Sequence, residues 1–286
     1  MSLNPAAAGR CYESGPIEIN RSAVMFYALS VGDRNDAYFD ERRAGGVVAH
    51  PLYAAVYARI PVRAALLDPA VGICYEQLFH YEQSFRRHAP VRPGDVLSTQ
   101  AEIKAVRFFE TGGLIELETV STNGTGCTVL TGRWAYFDKS AGRPNTGRPE
   151  RREVPPGPVV LRTEFTVPEG QTFVYAEASG DRNPLHLDED HARRRGLSGI
   201  IVHGSCTLAH CAREIVDGLC DKSPSRLGAL SVRFSHPVYP GERLVLEARE
   251  AGEKGPLDRA FALSLVDRDG RAVLRNASFE IASEEM

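Results

Sequence analysis

Apolar residues recur with a helical period in one stretch of the C-terminal half. Leu208, Cys211, Ala212, Ile215 and Val216 stand at i, i+3, i+4, i+7 and i+8. That spacing puts all five on one face and predicts a helix over about 204–218. Leu52, Ala55, Val56 and Ile60 predict its counterpart in the N-terminal half, with Pro51 suited to a first helical position. Elsewhere the period falls to two. Leu230, Val232 and Phe234 alternate with Ser231, Arg233 and Ser235. Phe261, Leu263 and Leu265 alternate with Ala260, Ala262 and Ser264, and Ile115 and Leu117 with Glu116 and Glu118. Such alternation predicts half-buried strands, and the hairpin-sized gaps make them antiparallel. Each half reads as a short helix, a loop, a longer apolar helix and then about four strands, an α+β architecture.

The two halves also share sequence. Tyr27, Ala28, Gly32, Asp33, Arg34 and Asn35 match Tyr175, Ala176, Gly180, Asp181, Arg182 and Asn183. Phe85-Arg-Arg-His88 running into Pro93-Gly94-Asp resembles Phe234-Ser-His236 running into Pro240-Gly241-Glu. Asn123-Gly124 and Asp269-Gly270 each lie between alternating segments, as a tight hairpin turn should. The offsets are 181 − 33 = 148, 241 − 94 = 147 and 270 − 124 = 146. Three landmarks in one order at nearly one spacing point to a duplicated domain. The stretch 139–158, rich in Pro, Gly and charge, falls where such a duplication needs a linker. The expected division is residues 1–138, the linker 139–158, and residues 159–286.

The copies differ where chemistry would sit. Pro184 corresponds to Asp36, and His186 to Tyr38. The C-terminal copy thus keeps an acid and an imidazole five residues apart, and the N-terminal copy keeps only the acid. Pro184 disfavours helix at Asn183, so Gly180–Pro184 should turn, with Gly180 free to take a backbone conformation other residues resist. Residues 188–196 then read as a brief helix ended by Gly196. Asp181 and His186 can converge from one rigid loop on one water, as a general acid/base pair, and Asn183 can orient a neighbour through its amide. His203-Gly204-Ser205-Cys206-Thr207 opens the long apolar helix. The unpaired N–H groups and partial positive charge of a helix N-terminus could stabilise a developing enolate oxygen there.

Bulk properties narrow the alternatives. At 286 residues the chain has room for two domains, each with its own core. A net charge of −3 and no basic stripe argue against a nucleic-acid partner. No apolar run is long enough for a membrane helix, and the N-terminus lacks the pattern of a secretory signal. A cytoplasmic protein is expected. Its six cysteines, with no Cys-x-x-Cys pair, read as reduced and mostly buried thiols. Asp181, His186, Asp188, Asp190 and His191 lack the histidine spacing of a helical zinc site, so no metal is expected. Ser205 lacks a nucleophile-elbow context and reads as an N-cap or first-turn residue. Cys206, Cys211 and His210 read as structural, Arg193–Arg195 as a solvated helix face, and His88 and His236 as strand-end residues.

The string Tyr-Ala-Glu-Ala-Ser-Gly-Asp-Arg-Asn-Pro-Leu-His at 175–186, followed by His-Gly-Ser-Cys-Thr at 203–207, resembles the MaoC-like, or hydratase 2, enoyl-CoA hydratases. The resemblance extends over nearly the whole chain and is sharp over 175–207. It implies a tandem, or double, hot dog: in each half an antiparallel sheet wraps a long central helix. It also implies reversible addition of water to a trans-2-enoyl thioester, giving the (R)-3-hydroxyacyl thioester. By that resemblance Asp181 and His186 activate water, Asn183 supports them, and the Gly204 N–H is the oxyanion donor, with Ser205 beside it. No metal or redox cofactor is implied; the acyl group rides on coenzyme A or an acyl carrier protein. The half carrying Tyr38 should be inactive and serve the paired sheet and the acyl pocket. A monomer or a homodimer fits the internal duplication. A hot-dog thioesterase and a non-catalytic acyl-thioester-binding scaffold are the competing readings.

Overall fold

The structure is a computed structural model and describes residues 3–142, 157–251, 257 and 259–283. The N-terminal half contains β1 (Cys11–Glu13), β2 (Ile17–Glu18), α1 (Arg21–Ser30), α2 (Ala54–Tyr57), α3 (Arg59–Leu67), β3 (Leu78–Arg87), β4 (Val96–Phe109), β5 (Gly112–Asn123) and β6 (Thr128–Asp138). The C-terminal half contains β7 (Val159–Thr166), α4 (Gln171–Ser179), α5 (Glu189–Arg194), α6 (Gly204–Leu219), β8 (Leu227–Phe234), β9 (Arg243–Glu250), β10 (Arg259–Asp267) and β11 (Ala272–Ile281). Residues 143–156 of the expected linker lie outside the described residues.

All the strands join one antiparallel sheet in the order β1-β4-β5-β6-β3-β8-β11-β10-β9-β7, with β2 also on β4. From the β3–β8 seam outward the order repeats: β3-β6-β5-β4-β1 on one side, β8-β11-β10-β9-β7 on the other. At the seam Ser84 pairs with Ser231, 231 − 84 = 147 residues apart. That separation equals the sequence offset between the copies, so a local twofold axis crosses the seam at this pair and relates the halves. The expected double hot dog is therefore the observed fold.

The core forms as the periodicity requires. Phe261, Leu263 and Leu265 turn inward, as do Leu230 and Val232 and Ile115 and Leu117. The α6 stripe, Leu208, Cys211, Ala212, Ile215 and Val216, is fully buried. The hairpins fold around side chains at strand ends. Asn123 Oδ1 accepts from the N–H groups of Thr125 and Cys127, and Asp267 Oδ1 from those of Asp269 and Arg271.

The N-terminal central helix departs from expectation, because it is broken in two. Pro51 begins a single 3-10 turn, Pro51–Tyr53, and not an α-helix. The break at Ala58 follows from Pro61, which has no N–H for the Tyr57 carbonyl and whose ring crowds that carbonyl. The new segment buries Pro61, Val62, Ala65 and Leu66. Ile60, expected on the core stripe, is 47% exposed. The cysteines also differ: only Cys206, Cys211 and Cys220 are buried, whereas Cys11 on an edge strand and Cys127 in a hairpin turn are exposed. All six are free thiols. Among the described residues no helix is long and apolar enough to cross a membrane.

Candidate active site

Helix α4 ends at Gly180, whose φ of 71° lies in the left-handed region that glycine occupies without strain. A relay of short-range bonds then shapes the loop. Ser179 Oγ accepts from the Asp181 N–H, Asp181 Oδ1 from the Asn183 N–H, and Asn183 Oδ1 from the Leu185 N–H. Pro184–His186 makes one 3-10 turn, and Gly196 closes the short α5 with positive φ. Asn183 thus works first as a cap, as Asn35 does in the other copy, and it also lines the cavity described below.

His186 is fixed by its Nδ1, which donates to the Ile201 carbonyl at 2.7 Å. A carbonyl only accepts, so Nδ1 carries the proton and Nε2 is the basic nitrogen of the neutral ring. Burial pulls the His186 pKa below its ordinary 6.5, against the upward pull of the Asp181 carboxylate. Burial alone would raise Asp181, but Arg59, His186 and His203 together hold it below the usual carboxylate value. The loop therefore offers an ionised carboxylate beside a neutral imidazole at neutral pH.

His203, named from the sequence only as the opening of the 203–207 motif, and Arg59, not named at all, join this pair. His203, immediately before α6, stacks on His186 with ring centroids 3.7 Å apart, and its Nε2 donates to the Asp181 carbonyl at 2.9 Å. Burial and neighbouring His186 push its pKa down to about 3, so it is a neutral brace. Arg59 comes from the other half: its Nη1 lies 3.5 Å from Asp181 Oδ1. No motif announces Arg59. It enters the site because the Pro61 break starts a new helix there.

Gly204 is the first residue of α6, so its N–H lacks an intrahelical acceptor and stands at the positive end of a 16-residue helix. A Cβ at this position would lie 3.0 Å from the Phe234 ring, which explains the glycine. Ser205 is a first-turn residue, as expected. It does not cap the helix, because its hydroxyl donates across the seam to Gln83 Oε1 on β3. Cys206 and Cys211 are core residues, and His210 is a buried partner of Gln171. Arg193 pairs with Glu189 on the solvated face of α5. His88 bonds Thr131, while His236 lines the cavity and is more than a strand-end residue.

Asp181, Asn183, His186, Gly204 and Ser205 all line a single cavity of about 1020 Å³. Its opposite wall comes from the N-terminal half and includes Arg59, Tyr75, His80, Trp134 and Tyr136. An Asp181 oxygen and one ring nitrogen each of His186 and His203 lie within 4.8 Å of one another, a set that could in principle ligate a cation. Each histidine keeps one ring nitrogen free after its bond to a carbonyl, as a metal-ligating histidine would, but the Arg59 cation 3.5 Å from the carboxylate opposes a second cation there. Asp188, weighed as a ligand from sequence, caps α5 instead.

The N-terminal copy of the site is sealed. Asp33, Tyr38 and His50 are each at most 2% exposed, and Asp33 Oδ1 accepts from the Asn35 N–H as a turn aspartate does. Burial raises the Asp33 pKa to about 6 and lowers that of His50 to about 3.

The chain is similar to known proteins both in sequence and in fold. Residues 152–260 match the family described as MaoC like domain, and residues 6–131 match the FAS1-like dehydratase domain region. A protein named probable enoyl-CoA hydratase 2, from Dictyostelium discoideum, is 27% identical over 270 residues, covering 91% of this chain and 90% of that one. The peroxisomal multifunctional enzyme type 2 of Mus musculus is 27% identical over 269 residues, 90% of this chain but only 36% of that longer protein. A solved structure described as a MaoC-like dehydratase superposes with a TM-score of 0.83 over 98% of this chain and 99% of its own, at 20% identity, a likeness of fold.

Proposed function

Because the chain belongs to the MaoC-like dehydratase family, we propose that it is a hydro-lyase that adds water reversibly to a trans-2-enoyl thioester. The observation that carries this is the pairing, in one cavity, of an ionised Asp181 with a neutral His186 whose basic nitrogen is fixed by the Ile201 carbonyl. His186 Nε2 takes a proton from water as its oxygen bonds to Cβ, and Asp181 orients that water by accepting its other hydrogen. The alkene electron pair moves to the thioester, where the Gly204 N–H meets the developing oxyanion. Cα then takes its proton from the imidazolium, leaving the (R)-3-hydroxyacyl thioester and restoring the neutral ring. Asn183 and Ser205 hold the loop and the helix end in register.

In this reading residues 159–286 are the working half, and residues 1–138 supply the far wall of the pocket. The acyl group rides on coenzyme A or an acyl carrier protein, and the dyad needs no metal or redox cofactor. The chain acts as a monomer or homodimer, with no nucleic-acid or membrane partner. Its free thiols suit a reducing compartment such as the cytoplasm, although the mouse relative is named peroxisomal.

The test follows the loss of enoyl-thioester absorbance with crotonyl-CoA and longer trans-2-enoyl-CoAs, with a thiol reagent in parallel. Alkene loss without free thiol supports the hydratase. Thiol release would make the protein a thioesterase, and ligand binding without turnover would make it a scaffold.

A further inference from the structure

Each copy of the loop has an arginine from the other half set against its glycine, and the contrast between the two is informative. Arg213 on α6 reaches the first-copy loop: its Nη1 donates to the Val31 carbonyl at 3.0 Å and lies 3.1 Å from where a Cβ on Gly32 would be. Arg59 stands in the same relation to the second copy, 4.0 Å from a Cβ on Gly180 and 3.5 Å from Asp181. The two guanidinium groups are used differently. Arg213 also donates through Nε and Nη2 to Glu214, so the protein saturates it. Among the described residues Arg59 has one ionic contact, at the long end of the range, and its Nε is buried without an acceptor. A guanidinium offers five donors in a rigid fork, and most of this one is unspent.

The cavity around Arg59 is cationic although the chain is net negative at −3. Arg59, Arg63, Lys139, Arg233 and Arg275 line it, and among its described lining residues Asp181 is the sole acid. Of the outer four, the three exposed ones can serve the phosphates of a carrier. Lys139, Arg63 and Arg275 are exposed, and Arg233 is already paired with Glu82. Arg59 cannot serve them. Its side chain is 14% exposed and touches the residue that would activate water. The phosphates of coenzyme A lie at the far end of the pantetheine arm from the thioester. An anion reaching Arg59 must therefore belong to the acyl group, within a few carbons of the double bond.

We infer that the substrate is the enoyl thioester of a short dicarboxylic acid, and that Arg59 holds its free carboxylate beside the reacting carbons. This rests on the hydratase reading and sharpens it. A guanidinium fork takes a carboxylate through paired N–H donors, fixing the acyl chain in one orientation with Cβ towards Asp181 and His186. The neutral walls, Tyr75, Trp134 and Tyr136, would pack the carbon skeleton. A neutral acyl chain of the same length would leave Arg59 with Asp181 as its one ionic contact and its other donors unpaired in a low-dielectric pocket.

The experiment compares wild-type hydration of pent-2-enedioyl-CoA, of its ω-methyl ester and of crotonyl-CoA, then repeats the series with Arg59→Gln and Arg59→Lys. The free acid should exceed the ester in kcat/KM by at least about tenfold, the worth of a hydrogen bond to a charged group. Arg59→Gln should bring that ratio towards one, and Arg59→Lys should keep part of it. A wild-type ratio near one, with crotonyl-CoA hydrated well, would overturn the inference and leave the hydratase standing. A ratio that survives Arg59→Gln would overturn the role of Arg59. If none of the three thioesters loses its alkene, the hydratase reading itself fails and the inference goes with it. The wild-type ratio needs no variant, so a folding defect cannot obscure it.

Discussion

Tyr27 and Tyr175 meet hydroxyl to hydroxyl at 3.2 Å, both fully buried, 175 − 27 = 148 residues apart. The two matched tyrosines of the repeat are thus each other's partner on the local twofold axis. The symmetry is broken by one proton. Tyr27 donates to the Leu52 carbonyl at 3.0 Å, so the shared hydrogen bond must be donated by Tyr175.

That asymmetry orders two substitutions. Tyr27→Phe strips an acceptor from Tyr175 and a donor from Leu52, leaving two buried groups unpaired at about 1–3 kcal/mol each. Tyr175→Phe leaves Tyr27 bonded to Leu52 and should cost only about 1 kcal/mol. Denaturant unfolding of both variants checks the order, and an equal or reversed ranking would sink the assignment of donors.

Asp181→Asn and His186→Ala should each lower kcat on crotonyl-CoA by about 100-fold or more, the range of a lost general acid or base. Both variants should stay folded: Asp181→Asn keeps a side-chain oxygen that can accept from the Asn183 N–H, and His186→Ala removes a single side-chain bond, to the Ile201 carbonyl. Either variant retaining near-normal turnover would remove that residue from the dyad.

The pH profile has a defined sign. Burial holds His186 below 6.5, and Arg59 lowers both His186 and Asp181. The acid limb of kcat/KM should therefore fall below pH 6.5. Removing the Arg59 charge should raise both groups and move that limb upward in Arg59→Gln. A limb that stays put or moves down would show that Arg59 does not act on the dyad.

Asp33 offers a stability test away from the chemistry. Its pKa is about 6 in the folded chain against an ordinary 3.8, so the folded state holds this proton more tightly than the unfolded one. Its stabilising influence is present below pH 4 and is lost as pH rises through 6. Asp33→Asn should therefore stabilise the protein at pH 7–8, by up to about 3 kcal/mol, with the gain fading below about pH 4. Thermal melts across that range read the difference; a gain confined to acid would refute it.

Much of this was legible in the chain. Period-two alternation gave the strands because one face of each meets the core, and the Leu208–Val216 stripe gave α6 because that face of the helix is buried in the core. The Gly180–His186 loop was readable because its bonds run between near neighbours. The break at Ala58 was missed although Pro61 announced it, since the apolar stripe outweighed the proline. Arg59, and the bracing role of His203 within its motif, were missed for a deeper reason. Their meaning lies in contacts across 122 and 22 residues respectively, set by the seam and by the helix start. No local pattern encodes those.

The sealed first copy has an evolutionary consequence. Restoring a histidine at position 38 would not reopen a second centre, because Tyr38 and Asp33 are walled in and Arg213 is bound to Val31 and Glu214. Three elements would have to change together, each intermediate carrying a cavity or a stranded charge. Fusion of two equal halves, followed by the filling of one, behaves as a ratchet: the chain can retune its surviving centre but cannot step back to twin ones.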